Sequence, residues 1–194
     1  MKYTKIIYFT LLLGFYLTCS FVILSKCFDE KNVKAGILVD NNHFKEALFL
    51  YNQILKNNPE ITNYELSRLL NNIGFCYYKL NDFKNALIFY KKALEIDNSY
   101  VLCLNNISSI LMNQKEYNQA SLYLTKAYQL DSTNIKVIFN LFVVNYFLNK
   151  KEDSLYYLKE AFNIDEDYTT KRLGKNNIKT ADIEKLRKHL KNYK

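Results

Sequence analysis

The chain has no tryptophan, one proline, four glycines and two histidines in 194 residues. So little glycine and proline leaves few positions for tight turns, bulges or phosphate-cradling loops, and it favours long helices. An all-α chain is expected. His43 and His189 are far apart, and no cysteine pairs with either at a metal-ligand or nucleophile spacing. The four cysteines, Cys19, Cys27, Cys76 and Cys103, contain no CxxC pair. There is no G-x-S-x-G elbow, no P-loop and no H-E-x-x-H helix. Asp165-Glu166-Asp167 are three adjacent acids at a helix end, which suits turn chemistry better than a paired acid and base. The inventory argues against an enzyme, and no cofactor, metal or small-molecule substrate is expected.

What is abundant is tyrosine (17) and phenylalanine (13), within an apolar fraction of 49% that is globular and not disordered. The formal net charge is +8, which first suggests nucleic acid. Its location removes that reading. Residues 169–194 hold nine basic groups against Asp182 and Glu184, whereas residues 28–168 hold 15 basic and 17 acidic groups. The body is electrostatically ordinary, and the basic tail has no recognised nucleic-acid module beside it, so no nucleic-acid partner is expected.

Residues 1–27 have a separate character. Lys2 and Lys5 precede an uncharged, apolar-dominated run over 6–24. As a helix its nineteen residues would extend roughly 28 Å, close to the ~30 Å of a hydrocarbon core. A single-pass membrane anchor is the first reading. The second is similar to a lipoprotein signal: Leu24-Ser25-Lys26-Cys27 places a cysteine three residues after a leucine, although Lys26 stands where that signal has a small residue. Cys27 is then the lipidation site. Ordinary cleavage is a third, against which stand an apolar core longer than a secretory signal usually has and a poor A-x-A-like site. All three place the body at or across a membrane, and outside the cytoplasm if the leader acts in export.

The rest of the chain repeats. Ala86, Ala120 and Ser154 stand 34 apart, and so do Ala93, Ala127 and Ala161; Ile73, Ile107 and Leu141; and Asp97, Asp131 and Asp165. A 34-residue period with helical apolar spacing implies one helix-turn-helix unit per repeat. Ala35, Leu38, Phe44, Ala47, Tyr51 and Pro59 suggest an earlier unit, offset by about five further residues that are expected to lengthen the connection near 62–66. Cys76 and Cys103 then sit about 10 Å apart along neighbouring helices, too far for a disulfide, and are expected to be small core residues.

Ile73-Gly74-x-x-Tyr77, followed by Ala86, Tyr90 and Ala93, resembles the L-G-x-x-Y…A-x-x-x-F/Y-x-x-A pattern of the tetratricopeptide repeat family. Leu70 stands at that family's usual tryptophan and Asn98 at its usual proline. The next unit keeps Leu104, Ile107, Ala120 and Ala127 with Ser108 for glycine, and the one after is looser, with Phe142 and Ser154. The resemblance implies a right-handed superhelix of antiparallel hairpins over 28–168, divided as 28–66, 67–100, 101–134 and 135–168. Residues 169–194 are then a basic linker and a capping helix over 180–192, with a loop over 168–179 before the helix, Thr180 as its N-cap and Ile183, Leu186 and Leu190 as its apolar stripe.

In that family the first helices line a groove that receives peptides or partner helices. The matching positions here are Arg68, Asn71, Asn72, Phe75, Tyr78 and Lys79, then Leu102, Asn105, Asn106, Ser109 and Met112, then Lys136, Phe139, Asn140, Val143, Tyr146 and Phe147. Asn72, Asn106 and Asn140 recur every 34 residues and could form an amide ladder for an extended backbone. The aromatic and aliphatic members suggest a hydrophobic partner site, unless another element fills it. A clamp for chaperone C-termini is not expected, because Asn71, Phe75 and Asn140 depart from its charged pattern. The functional expectation is a membrane-tethered scaffold that binds a protein or peptide. The alternative is a structural subunit of a membrane or envelope complex, held through its end faces.

Overall fold

The computed structural model describes residues 30–57, 61–174 and 188. The leader, Cys27 and the expected cap over 180–192, residue 188 apart, lie outside the described residues. Every element among the described residues is helical or a turn. In order they are α1 (30–40), α2 (Phe44–Asn57), α3 (Asn63–Lys79), α4 (Phe83–Ile96), α5 (Val101–Asn113), α6 (Tyr117–Leu130), α7 (Ile135–Phe147), α8 (Lys151–Ile164) and α9 (Glu166–Leu173). None is long and apolar enough to cross a membrane. The chain divides into two compact units, residues 1–89 and 90–194.

Each hairpin turn is built the same way. Asn42, Asn81, Lys115 and Asn149 adopt φ of 62°, 63°, 62° and 57°. The residue after each returns its N–H to a carbonyl five positions back: His43 to Leu38 O (2.8 Å), Asp82 to Tyr77 O (2.9 Å), Glu116 to Leu111 O (2.8 Å) and Lys150 to Asn145 O (2.9 Å). This is a Schellman closure, which reverses the chain after a helix by placing one residue in the left-handed region. Asparagine enters that region more readily than other side-chain-bearing residues, and three of the four turns use it. Lys115 is the exception. Lys115→Asn should therefore raise stability by up to about 1 kcal/mol, read as a higher urea midpoint at unchanged slope.

Unit 1 has its core in Ala35, Ala47, Tyr51, Ile54, Leu69, Ile73 and Cys76, with Tyr77 stacked on Phe89 at 5.4 Å. Its third helix departs from the sequence expectation. The extra residues near 62–66 do not lengthen a connection; they lengthen a helix. Thr62 forms a capping box with Glu65, donating its N–H to Glu65 Oε2 (3.0 Å) and accepting from Glu65 N (3.2 Å). Helix α3 thus begins at Asn63 and has 17 residues, against 13 in α5 and in α7. A capping box satisfies two of the orphan N–H groups of a helix start, so the helix forms as soon as that signal occurs.

Unit 2 buries Tyr90, Cys103, Leu104, Ile107, Ile110, Leu124, Ile138, Phe142 and Leu158. Cys103 donates its thiol to Tyr90 O (3.1 Å), and burial pushes that thiol up to about 12. Cys76 is pushed up to about 11 by the same cause. Both are core cysteines with negligible thiolate character at neutral pH.

The turns between hairpins depend on aspartate. Asp97 Oδ1 accepts from Ser99 N and Oγ (3.0 and 2.6 Å), and Asp131 Oδ1 accepts from Thr133 N and Oγ1 (3.1 and 2.9 Å). At the third equivalent position the hydroxyl partner is missing, because Asp167 stands where Ser99 and Thr133 were. Asp165 instead accepts from Tyr168 N (2.8 Å) and caps α9 directly. Residues 168–173, expected to open a loop, are therefore helical.

Candidate functional site

In unit 1 the expected groove residues Asn72, Phe75 and Tyr78 are half-buried on α3. Phe75 packs edge-on against Phe44 (6.4 Å), and the Lys79 ammonium lies over both rings, 5.4 Å from Phe75 and 5.8 Å from Phe44. Tyr78 packs on Phe83 at 5.7 Å. Asn72 Oδ1 accepts from Asn71 Nδ2 (3.4 Å). Burial pushes the Tyr51 phenol up to about 12, and a hydrogen bond with Asn72 acts in the opposite direction. Asn72 is therefore held by its own core.

In unit 2 the expected set separates. Phe139, Asn140 and Val143 are buried, at 0%, 5% and 2% exposure. They do not face open solvent as a groove wall would. The reason is α9, which sets Tyr168 edge-on to Phe139 (6.1 Å), Arg172 over the same ring (5.3 Å) and Leu173 into the cluster of Phe139, Phe142, Val143 and Leu158. Asn140 Nδ2 donates to Asn105 Oδ1 at 2.8 Å, which ties α7 to α5. Its amide is engaged internally and not held open for a ligand. Met112, Tyr146 and Phe147 are half-buried at the edge of the same cluster, with Phe147 stacked on Tyr117 at 4.8 Å. Asn106 is half-buried and Lys136 is exposed.

Lys136 borders a cavity of about 400 Å³ between the starts of α5 and α7, lined by Val101, Leu102, Asn105, Asp131, Thr133, Asn134, Ile135 and Lys136. Its apolar wall is Val101, Leu102 and Ile135. Asn105 is 8% exposed and positioned by Asn140, whereas Leu102 is 43% exposed at the mouth. Asp131 is the one acid in the lining, and donors from Thr133 and Asn134 hold its carboxyl below the usual carboxylate range. The arrangement offers an ammonium, side-chain amides and an aliphatic wall over a volume that suits a few residues of peptide. Among the lining residues, Leu102, Asn105 and Lys136 are expected groove positions.

The helix pairs, their turns and this packing define a tetratricopeptide-type repeat fold. Residues 67–100 and 102–134 each match a tetratricopeptide repeat model. A curated relative, the uncharacterized protein ycf37 of Porphyra purpurea, is 29% identical over 85 residues, covering 39% of this chain and 49% of the relative. The chain thus spans about half the length of that relative. Solved structures agree on the fold. MamA from Desulfovibrio magneticus RS-1 aligns over 85% of this chain and 92% of its own at 14% identity, with a TM-score of 0.66. PilF of Pseudomonas aeruginosa aligns over 74% and 64% at 20% identity and 0.65. YrrB, described as a TPR protein with an unusual peptide-binding site, aligns over 73% and 71% at 20% identity and 0.59.

Proposed function

We propose that the chain is a membrane-tethered scaffold that captures a peptide segment of a partner protein on its first-helix side, with the cavity between α5 and α7 as the primary contact. The observation that carries this reading is the cavity itself: an aliphatic wall, an oriented amide and an exposed ammonium meet around about 400 Å³ that no described side chain fills. The peptide-binding site named for YrrB makes the same use of this fold reasonable. Asn106 and the half-buried edge at Met112, Tyr146 and Phe147 extend the contact along the same helices. In unit 1, Asn72, Phe75 and Tyr78 take the equivalent role. Tethering rests on the sequence of residues 6–24, with lipidation of Cys27 as the alternative means of attachment. The four units proposed over 28–168 form the body.

The test is affinity capture from solubilised membranes, comparing wild type with Leu102→Asp and Lys136→Glu. Both residues are accessible at the cavity mouth, so both variants should fold. Capture of the wild-type partner should fall at least about tenfold, the ~1.4 kcal/mol expected from losing one favourable contact and placing a like charge. Equal capture by all three proteins counts against the cavity. Removing residues 1–27 should leave capture intact and release the protein from alkaline-washed membranes, which tests tethering separately.

A further inference from the structure

Outside the groove, two tyrosines from different repeats meet around one carboxylate. Tyr128 of α6 donates its hydroxyl to Glu160 Oε2 at 2.9 Å, and Tyr156 of α8 donates to Glu160 Oε1 at 2.9 Å. The two phenol oxygens are 3.5 Å apart. Tyr157 packs edge-on against both rings, with centroids 5.5 Å from Tyr128 and 5.1 Å from Tyr156. Tyr156 is 53% exposed, so a solvent-borne reagent reaches the pair. These contacts lie outside the cavity between α5 and α7, and the partner-binding reading makes no use of them.

We propose that Tyr128 and Tyr156 are a site of oxidative modification, where a peroxide-dependent one-electron oxidant of the haem-peroxidase class joins them into an intramolecular dityrosine. The oxidant removes one electron from each ring, and each phenol loses its O–H proton in the same step. A carbon ortho to one phenoxyl oxygen then bonds to its counterpart on the other ring. The two ortho hydrogens leave as protons, and both oxygens are protonated again. In total, two hydrogens leave the protein as two protons and two electrons, and one hydrogen peroxide is reduced to two waters.

The geometry supplies what the reaction needs. Two phenols already in contact need no diffusional encounter, which is where intramolecular reactions gain most. Glu160 is hydrogen-bonded to both hydroxyls and acts as the base that takes the proton as each electron leaves. The hydrogen bond with Tyr156, then burial and the Glu160 carboxylate, raise the Tyr128 pKa above that of an ordinary phenol. Tyr128 is thus a neutral phenol in the resting protein, and its proton needs a waiting acceptor. The product would link α6 to α8 covalently and lock two successive hairpins together.

The experiment treats the full chain, in detergent, with hydrogen peroxide and a haem peroxidase, followed by proteolysis and mass mapping. The expected product is one peptide pair joining Tyr128 to Tyr156, two hydrogens lighter than the sum of its parts and emitting the blue fluorescence of dityrosine. Tyr156→Phe should abolish that species while keeping the hairpin intact by circular dichroism. Glu160→Gln should slow its formation several-fold. Recovery of the Tyr128 and Tyr156 peptides unmodified while other tyrosines couple would overturn the proposal, as would coupling mainly between separate chains. An unchanged rate in Glu160→Gln would refute the role given to the carboxylate.

Discussion

Phe139→Ala should lower the free energy of unfolding of the region it supports by about 3–5 kcal/mol, the usual cost of deleting a phenylalanine from a packed core. The residue is fully buried, and its ring is the surface on which α9 rests through Tyr168, Arg172 and Leu173. Helix α9 has eight residues and a predominantly polar sequence, so it is too short to persist without its packing on this cluster, of which Phe139 is a fully buried member. The loss should therefore appear in two measurements. Urea unfolding followed by circular dichroism should shift to a lower midpoint, and amide exchange over 166–173 should approach that of an unprotected chain. A groove-lining Phe139 would behave differently: its removal would leave stability within about 0.5 kcal/mol, as for other surface positions. An unchanged midpoint with fast exchange in α9 would mean that the helix does not cover α7 in solution.

The repeat was legible in the sequence because it is written in small residues. Ala86, Ala93, Ala120, Ala127 and Ala161 are all fully buried, and a period of 34 in such residues has little cause other than close helix packing. The two cysteines were legible for a related reason, since their spacing left only the core. The start of α3 was misread because a capping box is a local signal while the expectation came from the period. Thr62 and Glu65 extend the helix by one turn whatever the register of the neighbouring repeats. Helix α9 was missed for the opposite reason. Its apolar content is low, and its presence depends on Asp165 changing from a turn former to an N-cap once Asp167 replaces a hydroxyl residue.

The groove shows where a family pattern stops being informative. Position by position, Phe139 and Val143 correspond to groove-facing residues of the preceding hairpin, and nothing in their own sequence context marks them as covered. Coverage is decided by residues thirty positions later. Asn105 shows the same limit from another side. Its place in the cavity follows from an amide on α7 that repeats with Asn72 and Asn106, and only the distances reveal which asparagine faces inward. The accessible part of the expected site is therefore narrower than the pattern implied, centred on Lys136, with Asn106 and the Met112, Tyr146 and Phe147 edge beside it.

Asn140→Ala should cost about 1–3 kcal/mol, the penalty for leaving a buried polar group without its partner. Asn105 Oδ1 would lose its 2.8 Å donor at a position only 8% exposed, where water can replace the bond only in part. Asn105→Ala alone should cost a comparable amount, because it strands the Asn140 amide. The double replacement should then cost less than the two single changes added together, with a coupling energy within the ~0.5–3 kcal/mol usual for directly bonded residues. Urea midpoints of the four proteins complete the cycle. Simple additivity would show that the pair does not bond in solution. A further consequence connects this bond to binding. Asn140 is absent from the cavity lining, but it fixes the orientation of Asn105, which is present there. Asn140→Ala should consequently weaken partner capture even where the variant is fully folded, and by no more than Lys136→Glu, since it leaves the amide free to rotate without adding charge. A folded Asn140→Ala protein that captures its partner at full strength would show that the orientation of Asn105 does not matter to recognition, and would leave Leu102 and Lys136 as the groups on which the contact depends.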